Sequence, residues 1–259
     1  VLSSLFGGSA LADTTPLRER IATYVTPDLL AAIAAEHAKG RTLFVGTTNI
    51  DAGRSVIWNM GKIASEGTPQ ALALFRDVIL ASAAIPMAFP PVFFEVEADG
   101  TRYQEMHVDG GVTSQVTILS PQIPGYLLDE VAQVEVDRNL FVIVNGAVVP
   151  PPDVVEATMI NIGRSSIERL WYAQAVGDLY KIHAVAERDD LDVRYAWIPQ
   201  TFQAEPAEEF DPVFMGELFG LGQTLMSSGT LWHDAPPNFT APGTTAVERG
   251  DEPMPVLTE

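Results

Sequence analysis

The chain has 259 residues, 47% hydrophobic and 19% charged, which suits one large or two small globular domains and excludes a wholly disordered or fibrous chain. Fifteen Lys and Arg (15) against 34 Asp and Glu leave a net charge of −19, which argues against a nucleic-acid partner and against anionic lipid unless a local patch docks. Cysteine is absent, so disulfides, thiolate metal ligands and cysteine nucleophiles are excluded; no apolar run approaches the roughly 20 residues that span a bilayer.

Residues 1–14 are short and rich in Gly and Ser. Thr15-Pro16-Leu17 predicts a helix start, with Thr15 as N-cap and proline at the first helical position. Thr26-Pro27 repeats the signal for a helix through Leu29, Leu30, Ile33 and Ala34, with Gly40 as C-cap. Residues 41–48 and 55–59 predict two strands of a hairpin around the Asp51-Ala52-Gly53 turn. Pro69 opens a helix with Leu72, Leu74, Phe75, Val78, Ile79 and Ala83 on its apolar positions, and Ile85-Pro86 stops it. Residues 89–96 are extended, Asp99-Gly100 is a turn, and residues 103–108 form a short strand that ends at Asp109-Gly110-Gly111.

Residues 139–145 are the clearest buried strand in the sequence, being almost continuously apolar. A long helical pattern follows over 153–186, then an alternating strand over 192–198. Asp211-Pro212 starts a last helix through Phe214, Met215, Leu218, Phe219, Leu221 and Leu225, a packed face or the lining of an acyl-chain pocket. Residues 234–259 read as a loose, acidic, Pro-rich tail. The alternation of strands and helices predicts an α/β domain with a largely buried sheet over residues 1–233, without an internal linker.

Phosphate loops and the H-E-x-x-H motif are absent. The richest local constellation is Glu105-Met-His107-Val-Asp109-Gly110-Gly111, because residues 105, 107 and 109 of a strand share one face. It can be read as a metal site of two carboxylates and an imidazole, as a polar strand face, or as a lone base, Asp109, at a strand end before two permissive glycines. The four histidines, His37, His107, His183 and His233, are not expected to act as general bases; His107 can tune Asp109 by its charge. Asn49 and Asp51 are expected to fix a turn, and Trp58, Trp171 and Trp197 to lie in the core.

Four stretches, Val45-Gly-Thr-Thr-Asn-Ile-Asp-Ala-Gly53, Leu80-Ala-Ser-Ala-Ala-Ile-Pro86, Phe89-Pro-Pro91 and His107-Val-Asp109-Gly110-Gly111, occur in the order in which the patatin-like phospholipases carry them. The sequence resembles that family over roughly residues 1–235, most clearly 41–115. The resemblance implies a three-layer α/β/α sandwich, a bacterial member, and a lipid acyl hydrolase that works by a Ser–Asp dyad without metal or organic cofactor. It implies that Asp109 is the catalytic base and that Gly110 and Gly111 shape its turn. The substrate class would be a lipid or small carboxylic ester.

The family's G-x-S-x-G nucleophile elbow and glycine-rich oxyanion loop are missing from the sequence. In family order both precede the matched stretches, so Val1 is expected to begin after the nucleophile, making the chain N-terminally truncated. The nearest imitation, Gly7-Gly8-Ser9-Ala10-Leu11, has Leu where the tight elbow needs glycine, which leaves Ser9 as an ill-fitting candidate nucleophile. The 259-residue chain is therefore expected to be inactive alone. It is also expected to expose sheet edges and to associate with the missing segment or with a second copy. Two other functions remain open: a lipid-binding or regulatory homologue without a nucleophile, and a metal-dependent hydrolase at Glu105, His107 and Asp109. The composition is compatible with a periplasmic, secreted or membrane-peripheral location.

Overall fold

A computed structural model describes residues 13–116, 138–148, 154–207 and 211–239. The chain divides into two compact units, residues 1–121 with 152–178, and residues 122–151 with 179–259. Both mix helices and strands, so the protein is mixed α/β, as expected.

The first unit opens with α1 (Thr15–Tyr24) and α2 (Pro27–His37), each with proline in its first turn. The N-cap of α1 is Thr14, not Thr15; Thr15 instead donates its backbone N–H and hydroxyl to Asp13 Oδ1, at 2.9 and 2.8 Å. Thr26 caps α2 by accepting from the Leu29 N–H. That helix ends at His37, and Gly40, at φ +94°, makes the turn beyond it. Strands β1 (Phe44–Asn49) and β2 (Arg54–Asn59) form the expected antiparallel hairpin.

The six-residue helix α3 (Met60–Ser65) was not predicted, since fewer than two turns carry no readable period; Asn59 caps it through the Lys62 N–H. Then come α4 (Pro69–Ser82), capped by Thr68, and the hairpin of β3 (Val92–Ala98) and β4 (Thr101–Asp109). Asp99 and Gly100 turn it with φ of 51° and 73°, the positive pair that a tight hairpin demands.

The four strands form one sheet in the order β2-β1-β4-β3, with every neighbour antiparallel. Helices α1 to α4 bury Ile21, Leu30, Met60, Phe75, Val78 and Leu80 together with Val92 and Phe94 of β3. Each such side chain contributes roughly 1.5–3 kcal/mol relative to exposure. A 3₁₀ turn, Gly110–Val112, follows β4 directly.

The second unit holds β5 (Asn139–Ala147) and β6 (Asp192–Ile198), a two-stranded parallel sheet. Helix α5 (Met159–Asp189) begins in the first unit and ends in the second. Leu179, Ile182 and Ala186 of α5 are buried, as are Val142, Val193, Tyr195 and Ala196 of the sheet. The expectation for residues 139–145 needs correction: among them only Val142 is buried, and Phe141 and Ile143 are 58% and 70% exposed. A continuous apolar run marks a strand suited to burial, but burial itself depends on what is packed against each face.

Helix α6 (Pro212–Ser228) starts at an Asp211 cap, whose Oδ1 accepts from Val213 N–H at 2.8 Å, and none of its residues is buried. Pro236 and Pro237, at the start of the expected tail, are buried, and the Pro237 carbonyl accepts from the Tyr180 hydroxyl at 2.9 Å. Residues 240–259 of that tail lie outside the described residues.

Candidate active site

Strand β4 reaches β1 only with its last three residues, pairing His107 with Asn49, Val108 with Thr48 and Asp109 with Thr47. The Asp109 N–H is taken by the Ala84 carbonyl at 3.0 Å, just beyond the end of α4. The backbone of Asp109 is thus held by β1 on one side and by the α4 terminus on the other. Its side chain caps the following turn, Oδ1 accepting from the Gly111 N–H at 2.7 Å. Oδ2 makes no hydrogen bond among the described residues.

Two glycines permit this geometry for different reasons. A Cβ on Gly110 would lie 2.7 Å from the Gly46 carbonyl oxygen of β1, so a side chain there would push the two backbones apart. A Cβ on Gly111 would lie 2.9 Å from Gln115 Nε2 and 3.0 Å from Asp109 Oδ1. The Gly110 carbonyl accepts from the backbone N–H groups of Thr113 and Ser114, at 3.2 and 3.1 Å, and the hydroxyls of Thr48 and Thr113 meet at 2.9 Å.

Asp109 faces a cleft of about 200 Å³ lined by Ile85, Pro86, Gly111, Val112, Gln115 and Trp171. Burial in that mostly apolar lining pushes its carboxyl above the ordinary aspartate value; the Gly111 hydrogen bond opposes the rise. A raised carboxylate is a stronger base than an ordinary one, and its free oxygen is the one that would take a proton. Beside the cleft, Met87 holds a left-handed φ of 72° with an exposed side chain, an uncommon backbone for a non-glycine residue.

Glu105, His107 and Asp109 do not act as a set. His107 is fully buried against the rings of Trp58 and Phe94, at centroid distances of 5.8 and 4.8 Å. Its Nδ1 lies 2.9 Å from Thr47 Oγ1, which also accepts from Trp58 Nε1 at 2.8 Å, and its Nε2 lies 3.3 Å from Glu105 Oε2. With a neutral imidazole, donor counting gives one arrangement: Trp58 donates to Thr47, Thr47 donates to Nδ1, and Nε2–H donates to Glu105. Both ring nitrogens of His107 are then engaged away from Asp109. Among the described residues no group of three or more His, Asp or Glu is arranged to hold a metal ion, which corrects the metal-site reading of this stretch.

The other histidines are placed in structural roles. His37 Nδ1 donates to the Arg41 carbonyl at 3.0 Å, and the ring is so close to Gly61 that a Cβ there would lie 2.5 Å from Nδ1. His233 stacks on Trp197 at 4.2 Å. His183 packs edge-on to Phe239, and its Nδ1 lies 3.3 Å from the Tyr195 hydroxyl. Burial, and then the Glu187 carboxylate, push that hydroxyl up to about 12, so it remains a proton donor. The candidate Ser9 lies outside the described residues. Asn49 and Asp51 do fix the β1–β2 turn region, Asn49 Oδ1 accepting from the Ala52 N–H and Asp51 Oδ2 from the Met106 N–H.

The sequence reading missed two residues of this neighbourhood. Trp171, expected in the core, lines the cleft. Asp178, on the same helix, is 4% exposed, and its Oδ2 accepts from the backbone N–H groups of Gln115 and Val116 and from the Ser114 hydroxyl. An acid within the apolar series Ala175, Leu179 and Ile182 was the available signal, since an Asp on a buried helix face needs donors supplied from elsewhere.

Residues 1–121 match the family model of the patatin-like phospholipases. The match takes in Asp109, Gly110, Gly111 and the cleft residues Ile85, Pro86, Val112 and Gln115; Trp171 and Asp178 lie beyond it. No curated protein matches the chain. The family so matched is one of phospholipases, and the match covers 121 of the 259 residues. Among the described residues, no helix is long and apolar enough to cross a membrane.

Proposed function

We propose that this chain supplies the base of a patatin-like serine ester hydrolase, with Asp109 in that role and the serine nucleophile upstream of Val1. The observation that carries the reading is Asp109 itself: half-buried at the end of β4, raised in pKa by burial, tied among the described residues through Oδ1, and facing a mostly apolar cleft. A serine hydroxyl is a poor nucleophile until a base takes its proton. Asp109 Oδ2 would accept that proton as the serine oxygen bonds the ester carbon, and the protonated carboxyl would then return it to the leaving alcohol. In the second half-reaction water attacks the acyl-enzyme, Asp109 takes the water's proton, and the serine recovers it as the acid departs. The tetrahedral oxyanion needs preorganised N–H donors, worth about 2.7–4 kcal/mol for a single donor, and these too are assigned upstream of Val1. We assign residues 1–233 to the hydrolase part and 234–259 to an appended acidic tail.

Fluorophosphonate labelling with peptide mapping, together with hydrolysis of a short-chain nitrophenyl ester, tests this. The 259-residue chain should neither label nor turn over. The protein extended upstream should do both, and Asp109→Asn should lower its kcat by about 10²–10⁴-fold. Labelling at Ser9 would instead place the nucleophile within this chain, and full activity in Asp109→Asn would remove Asp109 from the chemistry.

A further inference from the structure

Helix α5 presents Trp171 and Asp178 two turns apart, and therefore on one face. The first lines the cleft of Asp109, and the second reaches the segment that follows the Asp-Gly-Gly turn. Asp178 Oδ2 accepts from Gln115 N at 2.8 Å and Val116 N at 3.3 Å, and shares the Ser114 hydroxyl proton at 3.2 Å with the Val116 carbonyl, which is nearer at 2.9 Å. Gln115 in turn donates its side-chain amide to the Gly111 carbonyl at 2.8 Å, and the Gly111 N–H is the bond that holds Asp109 Oδ1. The contacts therefore run unbroken from α5 to the carboxyl: Asp178, Gln115, Gly111, Asp109.

We propose that Asp178 is a positioning residue for Asp109, its carboxyl clamping residues 114–116 so that Gln115 and Gly111 hold the aspartate against the cleft. The assignment rests on the reading of Asp109 as the base. Burying a carboxyl group costs several kcal/mol unless hydrogen bonds replace its water. An apolar side chain would pack this helix face at lower cost, but only an acceptor can fix the direction of two successive backbone N–H groups and a hydroxyl. Gln115 completes the arrangement from both ends, since its backbone N–H meets Asp178 and its side chain meets Gly111.

Releasing the clamp should let residues 111–116 move and water enter the cleft. Burial is the larger influence on the Asp109 carboxyl and the Gly111 bond the smaller, so hydration should lower its titration midpoint toward the ordinary aspartate range. Apart from Asp109, the cleft is lined by Ile85, Pro86, Gly111, Val112, Gln115 and Trp171, none of them titratable; Asp178→Ala also removes an acidic group, which by itself would lower the midpoint, so Gln115→Ala, which keeps Asp178, separates the two effects.

The test is a carboxyl-carbon NMR titration of the 259-residue chain, with the Asp109 resonance assigned by its loss in Asp109→Asn. Asp178→Ala removes the clamp. Gln115→Ala leaves the clamp's backbone donor in place, cuts the link to Gly111 and shortens one side chain of the cleft lining. Far-UV circular dichroism and thermal unfolding report whether each variant folds. A downward shift of the Asp109 midpoint in both folded variants is expected. If Asp178→Ala does not fold, Gln115→Ala decides alone. An unchanged or raised midpoint in the folded Gln115→Ala variant overturns the proposal, because a purely structural Asp178 would change stability and leave the Asp109 titration alone. The readout is a midpoint rather than a turnover, so its failure is distinct from loss of Asp109's catalytic role, which the hydrolysis assay decides.

Discussion

Two phenylalanines on two strands show how differently the two sheets are built. Phe94, on β3 of the four-stranded sheet, is 7% exposed and meets Trp58 at 4.9 Å and His107 at 4.8 Å. Phe141, on β5 of the two-stranded sheet, is largely exposed, with an edge contact to Trp232 at 5.1 Å. Both sit in strongly apolar stretches. The antiparallel sheet is built from two hairpins joined through β1 and β4, and α1 to α4 pack against it. Among the described residues, each strand of the parallel pair has one partner, with one bridge from Tyr195 to His233, and β5 has an unpaired outer edge, as β2 and β3 do in the larger sheet. Parallel sheets are ordinarily covered on both faces, so an exposed parallel pair is a surface suited to further pairing. Apolar sequence sets what a strand is suited to; the elements packed against it decide what it becomes.

The sharpest way to break this comparison is to truncate both rings. Phe94→Ala should destabilise the first unit by about 3–5 kcal/mol, measured by denaturant unfolding, because it removes a ring from a packed cluster. Losses of similar size for Phe94→Ala and Phe141→Ala would show that β5 is covered in solution. Thr47→Val should come next. It leaves Trp58 Nε1 and His107 Nδ1 without their shared partner at a fully buried position, at a cost of about 1–3 kcal/mol for each unsatisfied group. A loss well below 1 kcal/mol would mean that this network is replaced by water. Phe141→Ala should cost about 0.5–1.5 kcal/mol, the scale of one aromatic pair, with no change in the unfolding of the first unit.

The smallest effect concerns Asp109, and its sign is opposite to that of most surface acids. The folded carboxyl titrates above its unfolded value, so in the interval between the two the folded state holds more protons. Stability is then greatest below the unfolded value and is lost as pH rises through the folded one. Asp109→Asn, which keeps an oxygen for the Gly111 N–H, should therefore raise the melting temperature at neutral pH, with the gain vanishing in acid. A variant less stable than the parent at neutral pH would mean that the ionised carboxyl is stabilised by the fold rather than merely tolerated. A residue that weakens the fold when charged is the pattern expected of a site tuned for chemistry rather than for stability.

Much of the local structure around Asp109 was legible in the sequence, and the particular residues show why. The Asp-Gly-Gly turn is local: the carboxyl bonds an N–H two residues on, and the glycines are small because neighbouring backbone lies within 3 Å of where their Cβ atoms would be. Thr26, Thr68 and Asp211 cap helices within three residues of themselves, so their roles could be read from spacing alone. The metal reading of Glu105, His107 and Asp109 failed because strand alternation gives a shared face but not the partners on it. Thr47 and Trp58, from two other strands, claim the histidine.

What the sequence determined by itself is the set of interactions that span a few residues: helix starts, the two hairpin turns, the Asp-Gly-Gly turn and the family signature around it. The tertiary structure alone decided the contacts made across long separations. It brought Trp171 into the cleft, set Asp178 beneath the 114–116 backbone 62 to 64 positions earlier in the chain, and left Phe141 and Ile143 uncovered. The physical reason is range. Backbone capping and turn geometry are governed by torsions and hydrogen bonds within one or two turns, whereas burial and the pKa shift that burial causes depend on which distant surfaces arrive at the same place.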